Sequence, residues 1–228
     1  MKTVGEWSLE FDLLYNNIAS DKAPGLTEYE KSVFLSRAEA AVIIALYRGN
    51  YGDAFESTEE VTAYLDSLVK QADCQVAEDA RRLSSKSTVF RNPNDLLFRT
   101  WESANIQTTD CGAVDVSVVP VTQDEYWRTV RNPFKRQNNN RVLRLSYSTV
   151  NTSGQYLRDT FSELISDSPV NSYTVRYIAY PEPIILEDLT GGLSIDGYTA
   201  QATCKLPEAL HQSILTEAVR MAKAVWTA

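Results

Sequence analysis

The chain has 228 residues, long enough for one full domain or two small ones sharing an interface. Its composition (43% hydrophobic, 23% charged, 10% aromatic) is that of a globular protein and argues against disorder. A formal charge of −8 argues against a general nucleic-acid binder, and no apolar run reaches the ~18 residues needed to cross a bilayer.

Helices are expected first. From about Glu6 to Ser20, the residues Phe11, Leu14, Tyr15 and Ile18 share one helical face, and the stretch from Asp21 to Gly25 breaks the pattern. Thr27 and Glu30 form a capping box that opens a helix running to about Tyr47, with Gly49 as its C′ residue. Ser57 and Glu60 suggest a second box, starting a helix that carries Val61, Tyr64, Leu65 and Leu68 to about Val69. Three helices with short links can pack as a bundle.

After Lys70 the pattern turns to period two. Strands are expected at Thr88–Arg91, Leu96–Ser103, Val114–Val121, Arg141–Ser148, Ser162–Ser166 and Ser172–Tyr180, with weaker candidates at Ile184–Leu186 and Gly197–Cys204. In Arg141–Ser148, Leu143, Leu145 and Tyr147 alternate with Val142, Arg144 and Ser146, the pattern of a sheet with one wet face. A helix interrupts the strands, with Thr122 and Glu125 as a third capping box and a stop at Asn132-Pro133. Asn151 to Gly154 marks a turn, and Gly191-Gly192 reads as another.

Pro207 opens the last helix. Leu210, Ile214, Ala218, Met221 and Val225 make one apolar stripe, and Leu215, Val219, Ala222 and Trp226 a second beside it. This surface is wide enough to serve the protein's own core, another subunit, or both. The expected architecture is α+β: an N-terminal helical bundle (1–69), an inserted and mainly antiparallel β region (70–206), and a C-terminal helix (207–228) packing on the bundle or a partner.

Chemistry-bearing groups are few. Cys74, Cys111 and Cys204 are odd in number and far apart, which suits a reducing compartment and excludes a disulfide framework or cysteine zinc site. His211 is the only histidine and is expected to be structural, hydrogen-bonded near the start of the last helix. There is no phosphate-binding glycine loop and no nucleophile elbow. No signal peptide is evident. Glu187, Asp188 and Asp196 near Gly191-Gly192 are the candidates for a carboxylate or Mg²⁺-dependent enzyme, although loop acids are usually just solvated. No catalytic residue, metal or cofactor is assigned.

Charge is unevenly spread. Residues 1–80 carry a net −9, residues 81–160 a net +5 and residues 161–228 a net −4. Arg128, Arg131, Lys135, Arg136, Arg141 and Arg144 fall within 17 positions that hold no Asp or Glu, with Tyr126, Trp127 and Phe134 alongside. A basic and aromatic cluster suits a nucleic-acid site, and it equally suits a protein interface, where Arg, Trp and Tyr are the usual anchors. Read as a hairpin over 128–144, the cluster is an interface candidate, with packaging of nucleic acid as the alternative.

Four blocks then form an ordered set: LTEYEKSVFLSRAE at 26–39, VVPVTQDEYWRTVRNPFKRQNNNRVLRL at 118–145, YTVRYIAYPEPIIL at 173–186 and CKLPEALHQSILTEAVRMA at 204–222. Together they resemble the virion ring proteins of crAss-like Bacteroides phages, the head-to-tail connectors or adaptors between portal and tail. Ala179 and Tyr180 stand where that pattern has basic residues, and Lys205 where it has an acidic one.

The resemblance implies a structural, non-enzymatic virion protein, made in the host bacterial cytoplasm and located at the head-to-tail junction. It implies a homo-oligomeric ring of about twelve-fold symmetry that lines the DNA conduit, in which heterologous patches close the circle. Partners would be the portal protein and adjacent tail ring or hub proteins, with phage DNA passing through and no membrane contact. Met221, Val225 and Trp226 would then dock on the portal or a neighbour.

Overall fold

The computed structural model describes residues 2–18, 25–49, 59–78, 82–109, 112–148 and 160–226. The Ser57–Glu60 box, Cys111, the turn at Asn151 to Gly154 and the side chain of Trp226 lie outside the described residues. The chain is a mixed α+β protein that divides into two compact units, Met1–Leu68 with Tyr180–Ala228, and Val69–Ala179.

The first unit is built from helices α1 (Val4–Ile18), α2 (Glu28–Tyr47) and α3 (Glu59–Leu65), which is followed by a 3₁₀ turn (Asp66–Leu68), and the C-terminal helix. Two capping boxes set the starts. Thr27 Oγ1 accepts from Glu30 N at 3.3 Å while Glu30 Oε2 accepts from Thr27 N at 2.8 Å, as the sequence predicts. A second box, Thr3 with Glu6, opens α1 two residues before the expected start. Helix α2 is closed by the C-cap Arg48 and then Gly49, whose φ of +75° is the left-handed conformation that a C′ glycine adopts without strain.

The C-terminal helix of this unit, Glu208–Trp226, packs along both α1 and α2. It buries Leu210, Ile214, Leu215, Ala218, Val219 and Ala222. Trp7, Phe11 and Tyr15, four residues apart, are the buried face of α1. His211 is buried with its Nε2 3.0 Å from the Leu206 carbonyl and its ring against Trp7, and burial pushes its pKa below the usual range. Lys31 ties α1 to α2, donating to Asp12 and Glu28 at 2.7 and 2.9 Å. Ser32 and Ser36, buried on α2, hold the 184–186 segment through Leu186 N and the Ile184 carbonyl. The two strands weakly expected here reduce to isolated bridges, Ile185 with Ala202 and Ile195 with Tyr198. Left-handed residues Gly191, Gly192, Asp196 and Gly197 keep turning the chain out of any ladder.

The second unit is an eight-stranded sheet: β1 (Val69–Asp73), β2 (Gln75–Ala77), β3 (Ser87–Arg91), β4 (Leu96–Thr108), β5 (Gly112–Pro120), β6 (Arg141–Ser148), β7 (Thr160–Ile165) and β8 (Val170–Ala179). Their order is β1-β8-β4-β5-β6-β7-β3-β2, all pairs antiparallel except β5 with β6. The edge strands β1 and β2 are one extended segment with only Cys74 between them. Residues 69–73 pair with β8 and residues 75–77 pair with β3, so this segment draws the two sheet edges together into a near-barrel. Phe90, Ala104, Ile106, Val116, Val142, Leu164, Tyr173 and Val175 fill one face as a single buried cluster.

This closure corrects one expectation. Strand β6 has no wet face along most of its length. Val142 and Arg144 are buried on one side and Leu143 and Leu145 on the other.

Candidate subunit interface

Strands β5 and β6 run parallel, so a hairpin cannot join them and the chain must cross over the sheet. The basic segment is therefore a crossover and not the expected hairpin. Its centre is helix α4 (Tyr126–Arg131), and the C-terminal helix of the first unit is accordingly α5 (Glu208–Trp226). The expected Thr122–Glu125 capping box does not form. Glu125 is itself the N-cap, with helical backbone and no side-chain cap bond, and the Thr122 side chain bonds carboxylates instead, Glu125 at 3.4 Å and Asp124.

Spacing decides which side chains of α4 face out. Tyr126 and Val130, four apart, turn down onto Leu143, Leu145 and Ile165. Trp127, Arg128 and Arg131 are left on the outer side, Trp127 with 62% of its surface exposed and its ring edge-on to Tyr126 at 5.1 Å. Pro133 then ends the helix by forcing Asn132 into an extended conformation. Asn132 builds the turn that follows. Its Oδ1 accepts from Phe134 N at 2.9 Å, and its carbonyl accepts from Lys135 N at 3.1 Å and Arg136 N at 2.9 Å. Arg141 clamps the same turn by donating from Nη1 to the Phe134 carbonyl at 3.0 Å. Buried Gln137, reaching Asp167 at 3.3 Å, fastens the far end.

The product is a rigid knob. Phe134 stands at its tip with 88% of its surface in water. Trp127, Arg128, Arg131 and Phe134 line an open recess of about 730 Å³. Arg128, Arg131, Lys135 and Arg136 are exposed, and none of them makes an ion pair among the described residues. Such a surface binds by packing rings and by bidentate contacts from guanidinium to carboxylate or phosphate. Trp127 and Phe134 together offer on the order of 300 Å² of apolar area, worth up to about 7 kcal/mol before the cost of association.

The chain matches the phage tail ring protein 3/4 family over residues 1–227. It belongs to that family. It is 38% identical to "ring protein 3" of Bacteroides phage crAss001 over 224 residues, 95% of this chain and 93% of that protein. It is 32% identical to "ring protein 4/5" of the same phage over 231 residues, 98% of this chain and 93% of that protein. The resemblance carried by the four sequence blocks thus extends across both compact units of this ring-protein family member.

Two residues expected at the interface are occupied inside the subunit. Tyr126 is the anchor of α4 on the sheet. Arg144 lies within the near-barrel, its Nε 2.7 Å from Glu102 Oε2, and it also bonds Ser146. Glu102 accepts from Tyr173 OH at 2.6 Å as well, so the guanidinium is paired and hydrogen-bonded away from any neighbour. The strand alternation could not tell an enclosed second face from a wet one. Phe134 is the reverse case, a phenylalanine whose exposure follows from the Asn132-Pro133 turn.

The other singled-out groups lie in the helical unit. Met221 is half-buried and Val225 is 67% exposed, while Ala222 between them is buried. Glu187, Asp188 and Asp196 are exposed, with Asp188 accepting from Gln201 N at 2.8 Å. Among the described residues, no three His, Cys, Asp or Glu side chains gather as a metal site, and no helix is long and apolar enough to cross a membrane.

Proposed function

We propose that this chain is a structural protein of the virion that forms a multi-subunit ring in the portal-to-tail connector of a tailed phage, around the DNA conduit. The observation that carries the reading is the division of charge between the two units. Met1–Leu68 with Tyr180–Ala228 holds 8 basic and 18 acidic residues, a net −10, whereas Val69–Ala179 holds 14 and 12, a net +2, with four exposed cations, Arg128, Arg131, Lys135 and Arg136, on the knob.

A ring needs two different patches that attract each other and repeat by rotation. An anionic unit and a cationic knob supply them. The names of the crAss001 relatives, ring protein 3 and ring protein 4/5, support the same reading. An anionic lining also suits a conduit, because it leaves little counterion-release free energy to hold a passing duplex. The exposed end of α5 at Val225 is the surface offered to the portal protein or an adjacent ring or hub protein. The reading assigns the chain no catalytic residue and no cofactor, and a symmetry of about twelve-fold is the working expectation.

Electron microscopy of phage particles carrying a tagged copy tests it. Label in a closed ring at the head-to-tail junction is the expected result, and label at the capsid shell or outside the particle would overturn it.

A further inference from the structure

From Tyr177 to Cys204 the chain holds four carboxylates and no cation. Glu182 is paired with Lys205 at 2.7 Å, which leaves Glu187, Asp188 and Asp196 on one loop. That loop is held firmly. Ile185, Leu189 and Ile195 sink into a small core with Tyr29 and Val33. Leu189 N donates to the Thr199 carbonyl at 2.8 Å, and Ile195 and Tyr198 exchange backbone bonds of 3.0 and 2.9 Å. The tight turns leave Leu193 and Tyr198 outside, 45% and 50% exposed.

We propose that this loop is the receptor for the knob. In the ring, Phe134 and Trp127 of one subunit pack on Leu193 and Tyr198 of the next, while Arg128 and Arg131 reach Glu187 and Asp196. The inference rests on the ring reading and adds the identity of the two surfaces.

Four observations converge on this pairing. The knob has cations with no ion pair among the described residues, and the loop has carboxylates with no cation in its stretch of chain. Each surface exposes two large apolar side chains beyond those its own unit buries, the composition expected of the centre of an interface. Each is pinned by backbone hydrogen bonds, so little ordering entropy opposes contact. The two surfaces are different patches, one in each compact unit, and a head-to-tail contact joins two different patches. The acids that resembled a catalytic cluster in the sequence thereby gain a mechanical role.

A pair of variants tests the pairing in phage particles made in the host. The knob variant is Arg128→Glu with Arg131→Glu, and the loop variant is Glu187→Arg with Asp196→Lys. Alone, each places like charges at every joint, and its incorporation should fall at least tenfold. Together they form alternating rings in which every joint is again complementary, and incorporation should return to within about threefold of wild type. Incorporation of either variant alone at the wild-type level, or no rescue in the mixture, overturns the pairing and leaves the ring reading standing. Absence of the wild-type chain from particles is the separate result that defeats the ring reading. Salt-sensitive binding of a DNA duplex that is lost in the knob variant, without rescue by the loop variant, would assign the knob to nucleic acid instead. Melting temperatures within a few degrees of wild type confirm that the variants fold, and Glu187→Arg with Leu193→Arg serves if Asp196→Lys melts early.

Discussion

The thiol of Cys204 donates to the Glu39 carboxylate at 3.0 Å, between two side chains buried within the helical unit. Burial pushes the Glu39 carboxyl up to about 7 from its ordinary 4.5, the thiol bond opposes this, and the charge of Glu182 reinforces it. The Cys204 thiol is pushed up in turn, by burial and by Glu39. Between about pH 4.5 and 7 the unfolded chain has lost this proton and the folded chain has kept it. Stability therefore falls as pH rises through that window and is level above it, with a total effect of about 3 kcal/mol. Glu39→Gln should remove this part of the pH dependence and melt several degrees higher than wild type at pH 8 but not at pH 4. Thermal unfolding of both chains at the two pH values checks it, and identical pH profiles would show that Glu39 does not titrate in this window.

Arg144 and Glu102 form an ion pair largely out of water. Removing one partner of a buried pair strands the other, so Arg144→Met should destabilise the chain by about 3–5 kcal/mol. Adding Glu102→Gln removes the stranded charge and keeps an acceptor for Tyr173 OH, so most of the loss should be recovered. Urea midpoints of the single and double variants measure the difference. A double variant as weak as the single would place the cost in packing instead.

Adjacent residues on α4 should behave as opposites. Tyr126→Ala empties the contact with Leu143 and Leu145 and should cost about 3 kcal/mol. Phe134→Ser touches mainly solvent in the subunit and should change stability by less than about 0.5 kcal/mol, and Trp127→Ser, which also loses the edge contact with Tyr126, by about 1 kcal/mol, while both reduce incorporation into particles. Calorimetry set beside particle composition separates the two behaviours.

The end of α5 should divide in the same way. Truncation after Ala218 removes buried Val219 and Ala222 and should lower the melting temperature by several degrees. Val225→Asp, at an exposed position, should leave melting unchanged and weaken joining to the connector. A particle that retains Val225→Asp at the wild-type level would move docking away from this turn.

Residues that act on near neighbours were readable in advance. The Thr27–Glu30 box and the stop at Gly49 involve groups within one helical turn, and strand Arg141–Ser148 has the bounds its alternation implies. The four ordered blocks were enough to mark the family, since they are a matter of residue identity alone. The strands at 69–77 leave a weak local signal because V-K-Q-A-D-C-Q-V-A has only Val, Ala and Cys at its apolar positions, and the partners of 69–73 lie far along the chain at 174–178.

That distant pairing has large consequences. It closes the sheet, encloses Val142 and Arg144, and removes Arg144 from the surface on which its charge alone had put it. Likewise, a run of six cations carries no record of whether β5 and β6 run parallel or antiparallel. Only the parallel pairing makes the segment a crossover, turns Tyr126 down and Trp127 up, and leaves Phe134 at the tip. Exposure is a property of what covers a residue, and here the covering groups come from other elements of the fold.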